Sequence, residues 1–389
     1  MVSLTREQRV LRVIRREEVD YLPSQVIIAD RSRYAAVSKA LGLDTAEQLD
    51  DYLENHLFLT LTLHDKPIFY RDVPEVIDGL AQEGFCKPDW ENRLVYDVWG
   101  MGICVGVGSF FTRFHPLEGK ATKRHLGFMR DDLPADALLA PSDARRIKAY
   151  SAPDAFQPGN YREWERDLRE KSGEYLVWPS GYLGIFERSC HLIGFERFMT
   201  LLVEDRPLVE ELLDKVTDYR VAVAKKVVQL GFKVAHYGDD LGTQRGGIFS
   251  EKMLKEVLLP RIKRVWQVFT DAGLPIMLHS CGDIRHYLPH LIDIGLAVLE
   301  PCQPIMDLEY LKKEYGKHLT FFGGINTQVL PFITAEQTRE LTRRTIRTLG
   351  KGGGCIIAPS QEIMNDVPID NIKALVETIR EERAKVLES

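Results

Sequence analysis

The chain has 389 residues, of which 44% are hydrophobic and 28% are charged, and its formal net charge is −6. This composition excludes disordered, collagen-like and coiled-coil chains, and it lacks the basic excess of a dedicated nucleic-acid binder. No apolar run is long enough to span a membrane, and the N-terminus does not resemble a signal peptide. The six cysteines are irregularly spaced, which argues against a disulfide framework. We therefore expect a cytoplasmic protein without nucleic-acid or membrane partners.

The first half of the chain has the weaker periodicity. Residues 1–20 are predicted to form a helix, the run PSQVII from Pro23 is a candidate strand, and residues 45–60 are predicted to form a second helix. The stretch LVYDVWGMGICVGVG from Leu94 predicts an excursion in β-structure, followed by an irregular region. We expect this elaboration, at about 94–157, to decorate a single domain that covers the whole chain.

In the second half, short apolar runs alternate with helical stretches. Each run is bounded by Gly, Pro or Asp, which is typical of buried parallel strands. The runs are YLVWPS from Tyr175, KVAHYGDD from Lys233, PIMLHSCG from Pro275, LAVLEP from Leu296, HLTFFGG from His318 and GCIIAPS from Gly354. With the Pro23 run they make seven strands, and this alternation indicates parallel βαβ units. We predict an α/β fold, a (β/α)8 TIM barrel whose eighth strand the sequence does not place.

Capping residues predict several helix ends in this half. Ser250 is a candidate N-cap for a helix that Pro260 is expected to kink. Thr334 and Gln337 form a T-x-x-Q capping box, and the helix that follows should end at Gly350. The GKGGG run at that end is better explained by a helix stop and a strand entry than by a phosphate-binding loop.

The strand ends carry candidate metal ligands, and the active site of a TIM barrel lies at the carboxyl ends of its strands. His279 and Cys281 form an H-x-C pair, which offers zinc an imidazole nitrogen and a thiolate sulfur. Glu300 ends the next strand and is the predicted third ligand. A buried histidine beside an inert cysteine is the structural alternative. Cys355 enters the last strand too far from this face and is predicted to be core.

Other polar residues follow the same strand ends. Asp239 and Asp240 are adjacent, so only one should face the barrel mouth as a general acid or base, while the other holds the loop. Both could instead be solvated loop residues. Gln361 is expected to orient the substrate or a metal-bound water. The predicted substrate-binding residues are Trp178, Tyr182, Phe186, His236 and Gln303. Their aromatic members would line an apolar pocket, with a plain core role as the alternative.

Several stretches resemble the uroporphyrinogen decarboxylase superfamily. They are GDDLGTQRGGIFS (238–250), HSCGDI (279–284), PCQPIMDLEYLKKEYG (301–316), FFGGINTQVLP (321–331) and GGGCIIAPSQEIMNDVPIDNI (352–372). The resemblance covers most of the chain. It implies a (β/α)8 barrel with an N-terminal helical extension, in agreement with the prediction from the strand pattern.

Within that superfamily, the H-x-C pair is similar to the corrinoid-dependent zinc methyltransferases. True uroporphyrinogen decarboxylases carry Arg-Gln-Ala-Gly-Arg-Tyr after the first strand, where this chain has DRSRY (30–34). The methyltransferases hold zinc with His, Cys and a later Cys in an A-P-G-C motif. This chain reads APSQ at 358–361, without the second cysteine. The resemblance therefore implies a zinc site of His279, Cys281 and Glu300, which would suit an oxygen-bound methyl group.

The predicted function is zinc-dependent methyl transfer between a small substrate and a corrinoid (cobalamin). The substrate would be an aryl methyl ether, undergoing O-demethylation, or a methylated thiol or alcohol. The chain lacks the corrinoid-binding pattern D-x-H-x-x-G, so the corrinoid would be carried by a separate partner protein. One alternative is a metal-free decarboxylase-like lyase in which Asp239 or Asp240 stabilises a protonated intermediate and Arg31 or Arg33 binds carboxylates. Another is a corrinoid-protein partner without catalysis.

Overall fold

A computed structural model describes residues 4–29, 31–105, 112–179 and 183–388, without the side chains of residues 31–33 and 46–47. The strands are β1 (Leu57–Thr60), β2 (Cys86–Asp89), β3 (Leu94–Asp97), β4 (Gly102–Cys104), β5 (Thr112–Phe114), β6 (Leu176–Pro179), β7 (Ala235–Gly238), β8 (Gly242–Thr243), β9 (Gly246–Gly247), β10 (Ile276–His279), β11 (Leu296–Cys302), β12 (Thr320–Ile325) and β13 (Cys355–Pro359).

The α-helices are α1 (Arg6–Arg15), α2 (Arg31–Ala40), α3 (Ala46–Leu53), α4 (Lys66–Tyr70), α5 (Pro74–Gln82), α6 (Lys123–Leu126), α7 (Ala135–Leu138), α8 (Asp143–Ala149), α9 (Arg162–Lys171), α10 (Ile185–Ile193), α11 (Phe195–Glu204), α12 (Arg206–Leu230), α13 (Glu251–Met253), α14 (Leu259–Asp271), α15 (Leu288–Asp293), α16 (Leu308–Tyr315), α17 (Ala335–Gly350) and α18 (Ile369–Glu382). Within the described ranges, no helix combines the length and the apolar character that crossing a bilayer requires.

Parallel strands form the centre of the fold. One parallel sheet has the order β13-β12-β11-β10-β7, and a second pairs β1 with β6. An extended segment before β1 connects the two sheets, because Ser24 forms a parallel bridge with Ile357 of β13 and its carbonyl accepts from the N–H of His56 at 3.1 Å. β6 lies beside β7. The eight parallel segments thus have the neighbour order of a (β/α)8 barrel, and the predicted α/β class with parallel sheets is confirmed.

The strand that the sequence did not place is β1. The predicted helix over 45–60 is wrong in its second half, because α3 ends at Leu53 and Glu54 takes a left-handed backbone conformation with φ 51. The run Leu57–Thr60 then pairs in parallel with β6. Leu57–Thr60 has only four residues, a length that suits a strand better than the continuation of a helix.

A long connection separates β1 from β6. It includes an antiparallel sheet of order β2-β3-β4-β5, and the elaboration predicted at about 94–157 falls within this connection. Arg188 of α10 anchors the sheet, since its guanidinium lies 3.1 Å from Asp97 and 3.3 Å from Asp65. All three side chains are buried. A buried ion pair of this kind fixes where the connection lies on the central sheet.

The predicted helix ends agree with the structure. The Ser250 hydroxyl accepts from the N–H of Met253, and Thr334 with Gln337 forms the capping box of α17, which ends at Gly350. A π-helical turn over Leu254–Leu258 precedes Pro260. The Gly350 run therefore joins a helix to β13 as predicted.

Helix α1 lies at the end of the sheet opposite to the strand carboxyl ends. Its Glu7 N–H donates to the carbonyl of Glu174, and the Val13 carbonyl accepts from the Thr320 hydroxyl. These contacts are made just before β6 and at the first residue of β12. All described residues of β12 and β13 are buried, so the carboxyl ends of the strands are left as the open face.

Candidate metal centre and substrate cavity

His279 ends β10 between two neighbours that determine its surroundings. In the sheet register it pairs with Gly238 of β7 and with Glu300 of β11. Its Nδ1 lies 2.6 Å from Oε2 of Glu300. Burial alone would lower the pKa of His279, but the Glu300 carboxylate and the contact with Cys281 raise this pKa well above its usual value. Glu300 therefore orients the ring and leaves Nε2 facing away from that carboxylate.

Two further donor atoms lie near Nε2 of His279. The Cys281 sulfur is 3.8 Å from Nε2, and Oδ1 of Asp240 is 3.7 Å from it. Donor atoms of Asp240, His279 and Cys281 all lie within 4.8 Å of one another. Nitrogen, thiolate sulfur and carboxylate oxygen are the donors that zinc accepts in proteins. The residues present therefore fit a zinc ion.

The structure places Glu300 and Asp240 on different sides of the His279 ring. Glu300 was expected to be the third ligand, but its carboxylate is bound to Nδ1 of His279, on the other side of the ring. A carboxylate in that position typically supports a metal-bound histidine from outside the coordination shell. Asp240 takes the third place in the group of donors. Its Oδ1 also accepts from the Cys281 N–H at 2.8 Å, so the two loops hold each other.

Asp239 lies apart from this donor group although it is adjacent to Asp240. Its carboxylate accepts from the N–H groups of Phe186 and Glu187 at 3.0 and 2.8 Å and from the Tyr237 hydroxyl at 3.0 Å. It therefore caps the start of α10. The side chain is fully buried, and this burial raises its pKa to about 6. The two aspartates thus face different surroundings, as strand alternation predicts.

Two amide side chains adjoin the Cys281 sulfur. Nε2 of Gln361 lies 2.7 Å from it, and Nε2 of Gln303 lies 3.8 Å from it. Oε1 of Gln303 accepts from the Gly282 N–H at 2.8 Å. Gln303, a predicted substrate-binding residue, and Gln361, expected to orient the substrate or a metal-bound water, therefore both lie next to the thiol. The predicted core residue Cys355 is buried at the start of β13.

A cavity of about 110 Å³ lies beside the donor group at the strand ends. Its lining includes Trp178 and His236, two of the predicted substrate-binding residues, together with apolar side chains. The other apolar side chains of the lining are Ile27, Leu59, Phe69, Leu183, Phe322, Ala358 and Pro359. Phe186, also predicted to bind the substrate, packs against Phe198 and Phe249 in the core. Tyr182 lies outside the described residues.

A wider recess of about 620 Å³ lies next to this cavity and shares lining residues with it, among them Glu187, Asp240 and Glu362. His279, Cys281 and Gln361 border this recess. On its rim, Phe332 exposes 84% of its surface and Met364 exposes 43%. The donor group thus borders both a small inner cavity and a wider recess with apolar side chains on its rim.

Two acidic residues of the site were missed in the sequence. Glu187 and Glu362 line both the inner cavity and the outer recess. Burial raises the pKa of each, and the neighbouring carboxylate of Asp240 adds to the shift of Glu187. Glu362 could have been suspected because it follows Gln361. Glu187 had no such signal, since its position depends on the turn that begins α10.

Comparisons with known proteins identify the relatives of the chain. A sequence profile for "Uroporphyrinogen decarboxylase (URO-D)" matches residues 138–382. The methylcobamide:CoM methyltransferase MtaA of Methanosarcina barkeri is 25% identical over 209 residues, which are 54% of this chain and 59% of that protein. The methylated-thiol–coenzyme M methyltransferase of Methanosarcina mazei is 22% identical over 197 residues, which are 50% of this chain and 51% of that protein. The chain therefore spans little more than half the length of these relatives.

The fold has a counterpart among solved structures. A structure described as a methyltransferase from Methanosarcina mazei covers 97% of this chain and 99% of its own, with a TM-score of 0.56 and 19% identity. This likeness supports the fold. Because the profile match covers more than half of the chain, the protein belongs to the uroporphyrinogen decarboxylase family, and the relatives that it resembles in sequence are named methyltransferases.

Proposed function

We propose that this protein is a zinc-dependent methyltransferase that moves a methyl group between a small substrate and a corrinoid carried by a separate protein. The observation that carries the proposal is the meeting of nitrogen, sulfur and oxygen donors from His279, Cys281 and Asp240 at the strand ends. The names of the relatives, which are methylcobamide:CoM methyltransferases, support the reaction class. The family match and the neighbour order of the parallel segments also support a closed (β/α)8 barrel within a single domain.

The residues around the donor group prepare it to bind a metal ion. A bound zinc ion would supply a Lewis acid next to the heteroatom of the substrate. Glu300 holds the Nδ1 side of His279 at 2.6 Å, so Nε2 is presented to the centre of the group. Asp240 fixes the loop of Cys281 through the backbone N–H of that residue. These contacts pre-organise the three donors.

The inner cavity limits the size of the substrate. Its volume of about 110 Å³ is smaller than the engineered cavity of roughly 150 Å³ that accepts benzene. Apolar side chains such as Trp178 and Phe322 form much of its lining. We infer that the methyl-bearing group that enters this cavity is a small alcohol, thiol or ether, and that an aryl ring attached to it would have to remain in the wider recess.

The outer recess is the side on which the corrinoid would approach. In the demethylating direction, a reduced corrinoid on this side would supply the electron pair that accepts the methyl group, and the substrate heteroatom would keep the pair of the bond that breaks. Exposed apolar side chains such as Phe332 on the rim of the recess would face the partner protein. Operation in the cytoplasm would supply the reducing conditions that cobalt(I) requires.

Metal analysis tests the proposal directly. Protein purified without chelator is expected to contain about one zinc ion per chain, and the His279→Ala and Cys281→Ala variants are expected to lose it. A His290→Ala variant is the matched control, because His290 pairs with Glu251 away from the site. Metal-loaded protein should then demethylate a small ether, alcohol or thiol in the presence of reduced cobalamin. Zinc-free native protein would overturn the proposal, and carbon dioxide release that survives chelation would favour the decarboxylase-like alternative.

A further inference from the structure

Among the described residues, the Cys281 sulfur is in contact with two side-chain amides. Nε2 of Gln361 lies 2.7 Å away and Nε2 of Gln303 lies 3.8 Å away. An amide nitrogen carries two N–H donors and no acceptor. Both contacts therefore direct positive hydrogen atoms toward the sulfur.

Both amides are held in place by their surroundings. Oε1 of Gln303 accepts from the Gly282 N–H at 2.8 Å, which points the other end of the amide toward the sulfur. The backbone beside Gln361 is anchored, because the Ser360 N–H donates to the Ile325 carbonyl at 2.7 Å. The Ser360 hydroxyl also accepts from the Thr327 N–H at 3.3 Å. Gln361 therefore projects from a fixed point at the end of β13.

We propose that Gln361 and Gln303 are positioning residues that donate hydrogen bonds to the Cys281 thiolate and so weaken the electron donation of this sulfur to a bound metal. The inference rests on the proposed function. Hydrogen bonds to metal-bound sulfur draw charge away from the metal, which is how proteins tune copper and iron–sulfur sites. With less charge received from sulfur, the metal is a stronger Lewis acid toward a hard oxygen donor. The arrangement consequently favours a substrate whose methyl group is bound to oxygen.

Cobalt(II) loaded in place of zinc gives a direct test, because its absorption band for sulfur-to-metal charge transfer reports the charge on the thiolate. Without the Gln361 N–H the sulfur lone pairs rise in energy, so Gln361→Leu is expected to shift this band to longer wavelength. Gln361→Glu, which keeps the size of the side chain but has no N–H at neutral pH, should shift it in the same direction. Gln328→Leu is the control, since Gln328 lies on the same rim and its backbone N–H donates to Asn326. Both Gln361 variants should also lose more rate with oxygen-bound than with sulfur-bound methyl donors.

The outcomes separate this inference from the proposed function. If the wild-type protein binds cobalt(II) with a thiolate band and both Gln361 variants leave the band unmoved, the inference is overturned while the metal site stands. If the wild-type protein shows no thiolate band, the metal site itself fails and the inference fails with it. A band that moves in the Gln361 variants and stays in place in Gln328→Leu supports the inference.

Discussion

Replacing Asp239 or its neighbour Asp240 with alanine is expected to affect different properties of the protein. Asp239 is fully buried and accepts from two backbone N–H groups and the Tyr237 hydroxyl. The Asp240 side chain is 39% exposed and belongs to the candidate metal group. Asp239→Ala should therefore reduce stability, and Asp240→Ala should reduce metal binding.

The size of the first effect follows from the hydrogen bonds that Asp239 makes. Removing the cap of α10 costs about 1–2 kcal/mol. The Tyr237 hydroxyl loses its buried acceptor, which adds roughly 1–3 kcal/mol. We therefore expect Asp239→Ala to lower the free energy of unfolding by about 2–5 kcal/mol. Asp240→Ala removes one side-chain acceptor, that of the Cys281 N–H, and should cost about 1 kcal/mol.

Urea unfolding at pH 7.5 measures both costs, and the protein should first be treated with chelator, because bound metal stabilises the folded state by mass action. Zinc content of untreated protein then gives the second readout. The reasoning is refuted if Asp239→Ala costs less than about 1 kcal/mol, or if Asp240→Ala retains a full zinc ion per chain. An Asp239→Asn variant keeps one acceptor oxygen and should recover part of the stability.

Three further predictions follow from the contacts described above. Glu300→Gln should weaken zinc binding about 10–100-fold without abolishing it, because supporting carboxylates have effects of this size; competition with a chelator measures the change, and unaltered affinity would contradict the orienting role. Arg188→Met should cost about 3–5 kcal/mol at pH 7.5 because it leaves buried carboxylates without their cation, and the cost should be smaller at pH 5 because burial raises the pKa of Asp97 to about 6; urea unfolding at both pH values checks this. Acidification should also destabilise the protein, because burial lowers the pKa of three histidines: to about 3 for His56, about 4 for His64 and about 3 for His191. Above pH 6.5 these histidines are neutral in both the folded and the unfolded chain, so their full stabilising contribution is present. By pH 5 the unfolded chain binds a proton at each of them, which lowers the free energy of unfolding by about 2 kcal/mol per histidine. A free energy of unfolding that stays constant between pH 7.5 and pH 5 would contradict this prediction.

The strand pattern of the second half was predictable because each buried strand there stands between strong helix and turn signals. The runs that end at His279 and near Gly238 and Glu300 became neighbouring strands, as βαβ order requires. The sequence of the first half predicts its strands less well. Its strand Leu57–Thr60 has four residues, and its membership of the sheet depends on pairing with β6, more than 100 residues later. Local sequence carries no signal for a partner at that distance.

In the candidate site, strand register fixes some contacts and loop contacts between separate strands fix others. Sheet register pairs His279 directly with Glu300, so their proximity followed from the order of the strands. Which ring nitrogen Glu300 would contact did not follow, because it depends on the rotation of the imidazole. The approach of Asp240 is likewise set by a loop contact, the hydrogen bond from the Cys281 N–H.

This division explains why Glu300, the predicted third ligand, lies outside the group of donors formed by Asp240, His279 and Cys281. A carboxylate one strand away in register contacts the near side of the histidine ring, at Nδ1, 2.6 Å from Glu300. The far side of the ring, at Nε2, faces the loops beyond the strand ends, where Asp240 and Cys281 lie 3.7 and 3.8 Å away. A residue in register with a strand-end histidine is therefore better placed to orient the ring than to share its metal. The metal partners of such a histidine are more reasonably sought one or two residues past the ends of the neighbouring strands.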